Sequence, residues 1–404
     1  MLFLIWWTAT WMKEISMKPD FQLNDHEIYM DNAATTAVAE EVLDAMKPYF
    51  EEKYGNPETV YQLGRDAKCA VSTARASISD IIKCQPEELF FTSGGTEANN
   101  WAIKMAGTSL PDQGVMVSSI EHASVLKSAK YRCRNVPYFE IPVDSYGVVD
   151  LVVMENELKT RKYALVSVQY ANNEIGTIQP IAKISELCKE HGVYFHCDAV
   201  QAFGKVKFDV DDVGADLISL SSHKIHGPMG MGALYVKQGT ILEPLLHGGG
   251  QEGGMRSGTL AVPEIVGFGK AAEMSIDSIK TDMPRLMKLS EDLANQICLS
   301  FKAKRNGHST QRLPNIVNVT IPGMETSVVC GIMCSKFGIC LSAGAACSTA
   351  KRQSHVLEAI GHDAKDALST LRFSLSRYNT AEEITMVFCR LQAAGNQAES
   401  RSLI

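Results

Sequence analysis

The sequence is informative first for what it lacks. Its most apolar stretch, Met1 to Met12 with Trp6, Trp7 and Trp11, is too short to cross a bilayer, which takes ~20 apolar residues. It also lacks the basic start and small-residue cleavage site of a secretory signal. It predicts a dispensable extension over residues 1–16, with initiation at Met17. Positive charge is short: 39 Lys and Arg against 46 Asp and Glu leave a formal net charge of −7. That balance argues against extended nucleic-acid or anionic-membrane binding. The eleven cysteines form no disulfide framework, and an odd count in a long chain suggests reduced thiols and a cytoplasmic setting. Cys330, Cys334 and Cys340 are too loosely spaced for a zinc pair of the Cys-x-x-Cys kind. Cys330 and Cys334 fall one helical turn apart, which predicts buried helix cysteines. There is no internal repeat, low-complexity tract or long disordered linker.

What is present is an ordinary globular composition, 45% hydrophobic and 21% charged over 404 residues, enough for a large core and two domains. From Ile28 to about Val236, short apolar runs such as Gly114–Ser119, Tyr163–Val168 and Ala233–Val236 alternate with helical patterns such as Ala182–His191. This alternation predicts an α/β domain with a mostly parallel sheet, whose ligands bind at the carboxyl ends of the strands. After Pro263 a long helix, Ile265 to about Ser300, leads to short strands around 315–320, 340–342 and 370–374. The expected division is a large domain over 28–263 and a smaller α+β domain over 264–404, with 17–27 packing against the latter.

Ser221-Ser222-His223-Lys224 sets a lysine at the end of the apolar strand Ala215–Leu220, before a glycine-rich turn. Upstream, Val193–Asp198 ends in an aspartate. That pair is what pyridoxal phosphate needs: an amine for a Schiff base, and a carboxylate that keeps the pyridinium nitrogen protonated. The phosphate needs a cradle. Leu89–Ser93 reads as a strand turning through Gly94-Gly95-Thr96 into a helix, whose free N–H groups bind an anion. No Gly-Lys-Ser/Thr follows there, so it is not a Walker loop, and the turn carries no dinucleotide fingerprint.

Other strand ends converge. His122 follows one strand, Asn172-Asn173-Glu174 another, and Asp198 to Gln201 a third. His122 and His223 fall among these segments and are read as site residues, whereas His191, His308 and His362 are read as structural. Downstream, Cys347 sits in Ser342-Ala343-Gly344-Ala345-Ala346-Cys347-Ser348. Small neighbours leave it uncrowded, as a nucleophilic thiolate must be.

These residues resemble a family. Met30–Thr36, Gly55-Asn56-Pro57, Thr92–Glu97, Asn172–Gly176, Ser222-His223-Lys224, His247–Glu252, Met255–Thr259 and Leu371–Ser374 are similar to the NifS/IscS-type cysteine desulfurases, from about Ile28 to about Cys389. The resemblance implies a fold-type-I pyridoxal-phosphate enzyme that dimerises with itself. It takes sulfur from L-cysteine and leaves L-alanine and an enzyme persulfide. By motif, Lys224 would be the Schiff-base lysine and move the Cα proton. Asp198 would pair with the ring nitrogen, Gln201 would bond the ring hydroxyl, and His122 would stack on the ring and act in proton transfer. Gly95, Thr96, Ser221 and His223 would hold the phosphate, with Thr259 from the other subunit. Asn173 and Arg372 would meet the substrate, Arg372 at its carboxylate, which the guanidinium fork matches. Cys347 would carry the sulfur.

Some positions depart from the pattern. Glu58 to Tyr61 replaces a Ser-Ser and His, Gln251-Glu252-Gly253-Gly254 replaces a basic residue, and the stretch from Cys347 to His355 is about a residue short. The loop's tip selects the sulfur acceptor, so a route to iron–sulfur clusters, thiolated tRNA or DNA phosphorothioates is not inherited. A selenocysteine lyase is the alternative; a non-catalytic sulfur-transfer subunit is disfavoured, since Lys224, Asp198, His122 and Cys347 are all present.

Overall fold

The computed structural model describes residues 27–108, 110, 112–343 and 354–402. The Trp-rich extension and Cys347 lie outside the described residues. The strands are β1 Ile28–Tyr29, β2 Leu89–Thr92, β3 Gly114–Ser118, β4 Tyr138–Ile141, β5 Tyr163–Ser167, β6 Tyr194–Asp198, β7 Leu217–Ser221, β8 Gly232–Val236, β9 Lys304–Arg305, β10 Ile316–Thr320, β11 Ile339–Cys340 and β12 Thr370–Ser374. Among the helices are α1 Gln62–Ile82, α2 Gly95–Met105, α3 Ala123–Arg132, α4 Ile181–His191, α5 Val262–Phe301, α6 Thr326–Phe337, α7 His355–Ala359 and α8 Ala381–Ser402.

A seven-stranded sheet in the order β2-β8-β7-β6-β5-β3-β4 forms the larger layer. β8 runs antiparallel to both neighbours and the remaining pairs are parallel. β3, β5, β7 and β8 are buried at every residue, as strands covered on both faces must be. Alternation along each strand splits the side chains between two apolar layers. Val166 and Ile218 join one with Phe91, Phe195 and Phe268. Leu165 and Leu217 join the other with Trp101 and Val117.

The smaller unit holds the antiparallel sheet β12-β10-β9 and the parallel pair β1-β11. Its core gathers Val317, Val319, Leu371 and Phe373 with Leu293, Met333 and Leu391 from α5, α6 and α8. Ile28 and Met30 pack in this core. α5 is 40 residues long, about 60 Å at 1.5 Å per residue, and it serves both units. Ile265, Phe268 and Ala272 lie in the first core, and Leu286, Leu293 and Ile297 in the second.

Most strands and helices lie within a residue or two of their sequence-read bounds. Pro263 proves to be part of α5: it sits in the first turn, where its missing N–H has no partner to lose. The expectation of buried helix cysteines is corrected in part. Cys330 and Cys334 are both on α6, but Cys330 is half-buried and Cys334 exposed. Val329, Ile332 and Met333 take the inward face of that helix instead.

Candidate active site

β2, β3, β5, β6 and β7 point the same way, so their carboxyl ends share one edge of the sheet. β6 ends on Asp198, and β7 runs into a single 3-10 turn, Ser222–Lys224. The Lys224 amine donates to the carbonyls of Ala33 (2.6 Å) and Ala34 (2.5 Å). Gln201 Nε2 donates to the same Ala33 carbonyl at 2.9 Å. The segment 33–36 thus laces together the ends of β6 and β7; Thr36 adds bonds to the carbonyl of His223 (3.0 Å) and the amide of His226 (2.8 Å).

Asp198 is buried. One carboxylate oxygen accepts from Asn99 Nδ2 at 2.7 Å and the other from the Val200 amide at 3.0 Å. Gln201 Oε1 accepts from the Lys205 ammonium at 2.9 Å, which fixes the carboxamide with its nitrogen toward Ala33. Burial, and then the Lys224 charge, pull the Lys205 pKa down to about 7.

The turn into α2 is built for an anion. Gly94 has φ 142°, which only glycine tolerates easily. A Cβ on Gly95 would stand 2.8 Å from Val200 Cγ2 and 3.7 Å from Ser221 Cβ. The open end of α2, carrying Gly95 and Thr96, therefore abuts the ends of β6 and β7. Ser221 and Ser222 have buried hydroxyls with no hydrogen-bond partner among the described residues. The Ser221 hydroxyl, an unspent donor beside a helix N-terminus, fits a phosphate, whereas the Ser222 hydroxyl lies against Gly227. His223 bonds Thr35 Oγ1 through Nδ1 at 3.1 Å. Burial, then the Lys224 and Lys205 charges, lower its pKa to about 4. Thr259 stands apart from these residues and lines a cavity with Thr92, Ser93, Met231 and Arg256.

His122 caps α3. Its Nδ1 lies 2.7 Å from Ser124 Oγ and accepts the Ser124 amide at 3.2 Å. Burial lowers its pKa, against an opposing pull from Asp198. Glu121 is fully buried. One oxygen accepts from Ser118 Oγ (2.6 Å) and the Gln169 amide (2.7 Å), and the other has no partner among the described residues. Burial raises this carboxyl to about 8.

Arg372 lies on β12, wholly buried. Its guanidinium donates to the Asn173 carbonyl at 2.9 Å and to Asp31 at 2.6 Å, leaving Nε without a partner among the described residues. The Asn173 loop is pinned by Asn172, whose Oδ1 accepts the amides of Glu174 (2.8 Å) and Ile175 (2.9 Å). Ser354 donates to Glu174 at 2.5 Å, and His355 Nε2 lies 2.9 Å from the Glu121 carbonyl. The chain following residue 353 therefore returns directly to the site.

Lys224, Asp198, Gln201, His122, His223, Gly95 and Ser221 thus gather at one sheet edge, with Arg372 and Asn173 joined to each other beside it. Sequence reading missed Asn99, Lys205, Glu121 and Asp31. Lys205 was accessible through its spacing, one helical turn after Gln201; Asn99, in the middle of α2, gave no local signal.

Comparison with known proteins bears on the family and the fold. Residues 28–387 match the aminotransferase class-V family. The chain is 43% identical over 364 residues to a protein named cysteine desulfurase IscS from Methanosarcina thermophila, covering 89% of this chain and 90% of that one. It superposes on a solved NifS-like protein with a TM-score of 0.86 at 34% identity, covering 94% and 100% of the two chains. A structure titled SspA in complex with cysteine gives a TM-score of 0.75 at 34% identity, covering 87% and 100%.

Proposed function

The chain belongs to the aminotransferase class-V family, and from that we propose that it is a pyridoxal-phosphate-dependent cysteine desulfurase. It takes sulfur from L-cysteine, releases L-alanine and holds the sulfur as a persulfide for an acceptor. The observation that carries this reading is the junction of Lys224, Asp198 and His122 at one sheet edge, in a chain 43% identical to a named desulfurase over nearly its whole length.

Pyridoxal phosphate, when bound, supplies an electron sink for the amino-acid Cα. The chain's own groups do the rest. The Lys224 amine would hold the cofactor's reactive carbon and then move the Cα proton. Asp198, braced by Asn99, would face the ring nitrogen and keep it protonated. Gln201, oriented by Lys205, would meet the ring hydroxyl. Gly95, Thr96, Ser221 and His223 would hold the phosphate, and Thr259 would reach the phosphate of the other protomer. Asn173 and Arg372 would take the substrate carboxylate. Asp31 and the Asn173 carbonyl each take one of the five guanidinium hydrogens, so the substrate carboxylate would take from those that remain.

Cys347, as thiolate, would attack the substrate sulfur. A sulfur–sulfur bond forms and the carbon–sulfur bond breaks. Its electron pair passes to the substrate carbon, which takes a proton to become the methyl of alanine.

A homodimer is part of the proposal. Phe50, Tyr54, Val60 and Tyr61 expose 58%, 69%, 84% and 57% of their surface within one short stretch, and clustered apolar exposure of this kind favours a protein partner. The proposed setting is the cytoplasm and the proposed acceptor a protein. No helix among the described residues is long and apolar enough to cross a membrane. The reading is tested by supplying the holoenzyme with L-cysteine and measuring alanine, with L-selenocysteine in parallel. Alanine from cysteine is expected; turnover of selenocysteine alone would replace desulfurase with lyase.

A further inference from the structure

His122 is tied to Asp198 through two side chains that the reaction does not touch. Asn99 Nδ2 donates to Asp198 Oδ2 at 2.7 Å and to Ser124 Oγ at 2.9 Å. Both hydrogens of that amide are therefore spent. The reverse amide orientation would set Oδ1 against the carboxylate, so the assignment follows from charge. Ser124 Oγ accepts from Asn99, and its own proton is free to be given to His122 Nδ1, 2.7 Å away. The Ser124 backbone N–H is aimed at the same nitrogen at 3.2 Å. Two donors on Nδ1 require a lone pair there. The neutral ring must then carry its proton on Nε2. Protonating Nδ1 would set its N–H against the Ser124 backbone N–H, which, unlike the hydroxyl, cannot turn to accept.

We propose that Asn99 and Ser124 are positioning residues that hold His122 neutral in the Nε2–H form, so that it presents a fixed hydrogen-bond donor to the site rather than a base. The inference rests on the desulfurase reading for the identity of the reaction but not for the tautomer. It divides the labour: Lys224 moves the Cα proton, and His122 offers a hydrogen bond from Nε2 that steadies charge developing beside it. The charged or titratable groups around the ring are Asp198 at the end of β6, Lys224 after β7, His355 on α7 and the adjoining Glu121. Of these only Asp198 favours an imidazolium, since Glu121 is held protonated.

The test is long-range proton–nitrogen NMR on holoenzyme labelled with 15N-histidine, His122 being assigned by its loss in His122→Asn. In the wild type at neutral pH, Nδ1 should resonate as an unprotonated and Nε2 as a protonated nitrogen. Ser124→Ala should give a mixture of tautomers and move the ring's protonation midpoint upward. It should also lower kcat about tenfold, less than the full contribution of a positioned acid–base group, with KM little changed. Ser124→Thr, which keeps the hydroxyl, should restore the single tautomer. A wild-type ring protonated on Nδ1 would overturn the proposal, as would a Ser124→Ala enzyme with unchanged tautomer and kcat. If the wild type made no alanine, the desulfurase reading would fall, while the tautomer of His122 would still decide this one.

Discussion

Glu121 shows how much of a site's behaviour rests on single buried groups. Its carboxyl is held protonated by burial, with a pKa near 8 against 4.5 when exposed. The folded state binds this proton and the unfolded chain releases it across that interval. The stability it contributes is complete below pH 4.5, declines as pH rises toward 8 and is level beyond. Glu121→Gln should therefore gain stability over the wild type progressively from pH 5 to pH 8, seen in urea midpoints at each pH. A constant difference would mean that the carboxyl ionises normally in the fold. At the cofactor, Lys224→Ala should abolish alanine production, and Asp198→Asn should reduce it by orders of magnitude, since each pKa unit lost at the ring nitrogen represents ~1.4 kcal/mol. The legible residues were those at strand ends, because an apolar run that stops at Asp198 or Ser221-Ser222-His223-Lys224 announces its own geometry. Asn99 was not legible. It sits mid-helix, and only the fold brings α2 against β6.

At the scale of elements, the departure Gln251-Glu252-Gly253-Gly254 acquires a structural role. Glu252 pairs with Arg75 of α1 at 2.5 Å and accepts the Phe91 amide of β2 at 2.8 Å, with its side chain 2% exposed. It does so at φ 52°, unusual for a non-glycine residue. One carboxylate thus fastens the glycine-rich segment to a helix and a strand. Glu252→Ala should cost about 3 kcal/mol, because it strands a half-buried guanidinium and a backbone donor. Glu252→Gln, which can still accept from Phe91, should cost less. Urea denaturation of the two variants checks the order; equal and negligible losses would remove Glu252 from this role. The sequence exposed the unusual segment but not its partner, which is 177 residues away. α5 was read well as a helix but not in its start, since a proline at a helix's first turn and one that breaks a helix look alike.

At the scale of the molecule, several histidines are held neutral inside the fold. Burial depresses His196 to about 3, and His223 and His226 to about 4. His196 bridges Ser167 and Ser219 across β5, β6 and β7 (2.8 and 2.9 Å). The unfolded chain takes up these protons near pH 6.5 and the folded one only below 4, so stability falls as pH drops through that window. The slope is at most ~1.4 kcal/mol per pH unit for each group. Denaturation midpoints should decline steadily from pH 7 to pH 5, and His196→Asn should flatten part of the slope; a pH-independent midpoint would contradict this. The alternation of strands and helices carried the large α/β layer plainly, and the change of pattern after Pro263 carried the smaller one. That one helix serves both cores was not legible, because its apolar stripe does not reveal which core it faces.

The central claim is that this chain draws sulfur from cysteine and carries it on Cys347. Mass spectrometry with peptide mapping, after brief exposure of the holoenzyme to L-cysteine without reductant, tests it most directly. The account predicts alanine in solution and one labile extra sulfur atom on the peptide bearing Cys347, both absent in Cys347→Ser. Extra sulfur on Cys340 or Cys334 with Cys347 unmodified would contradict it.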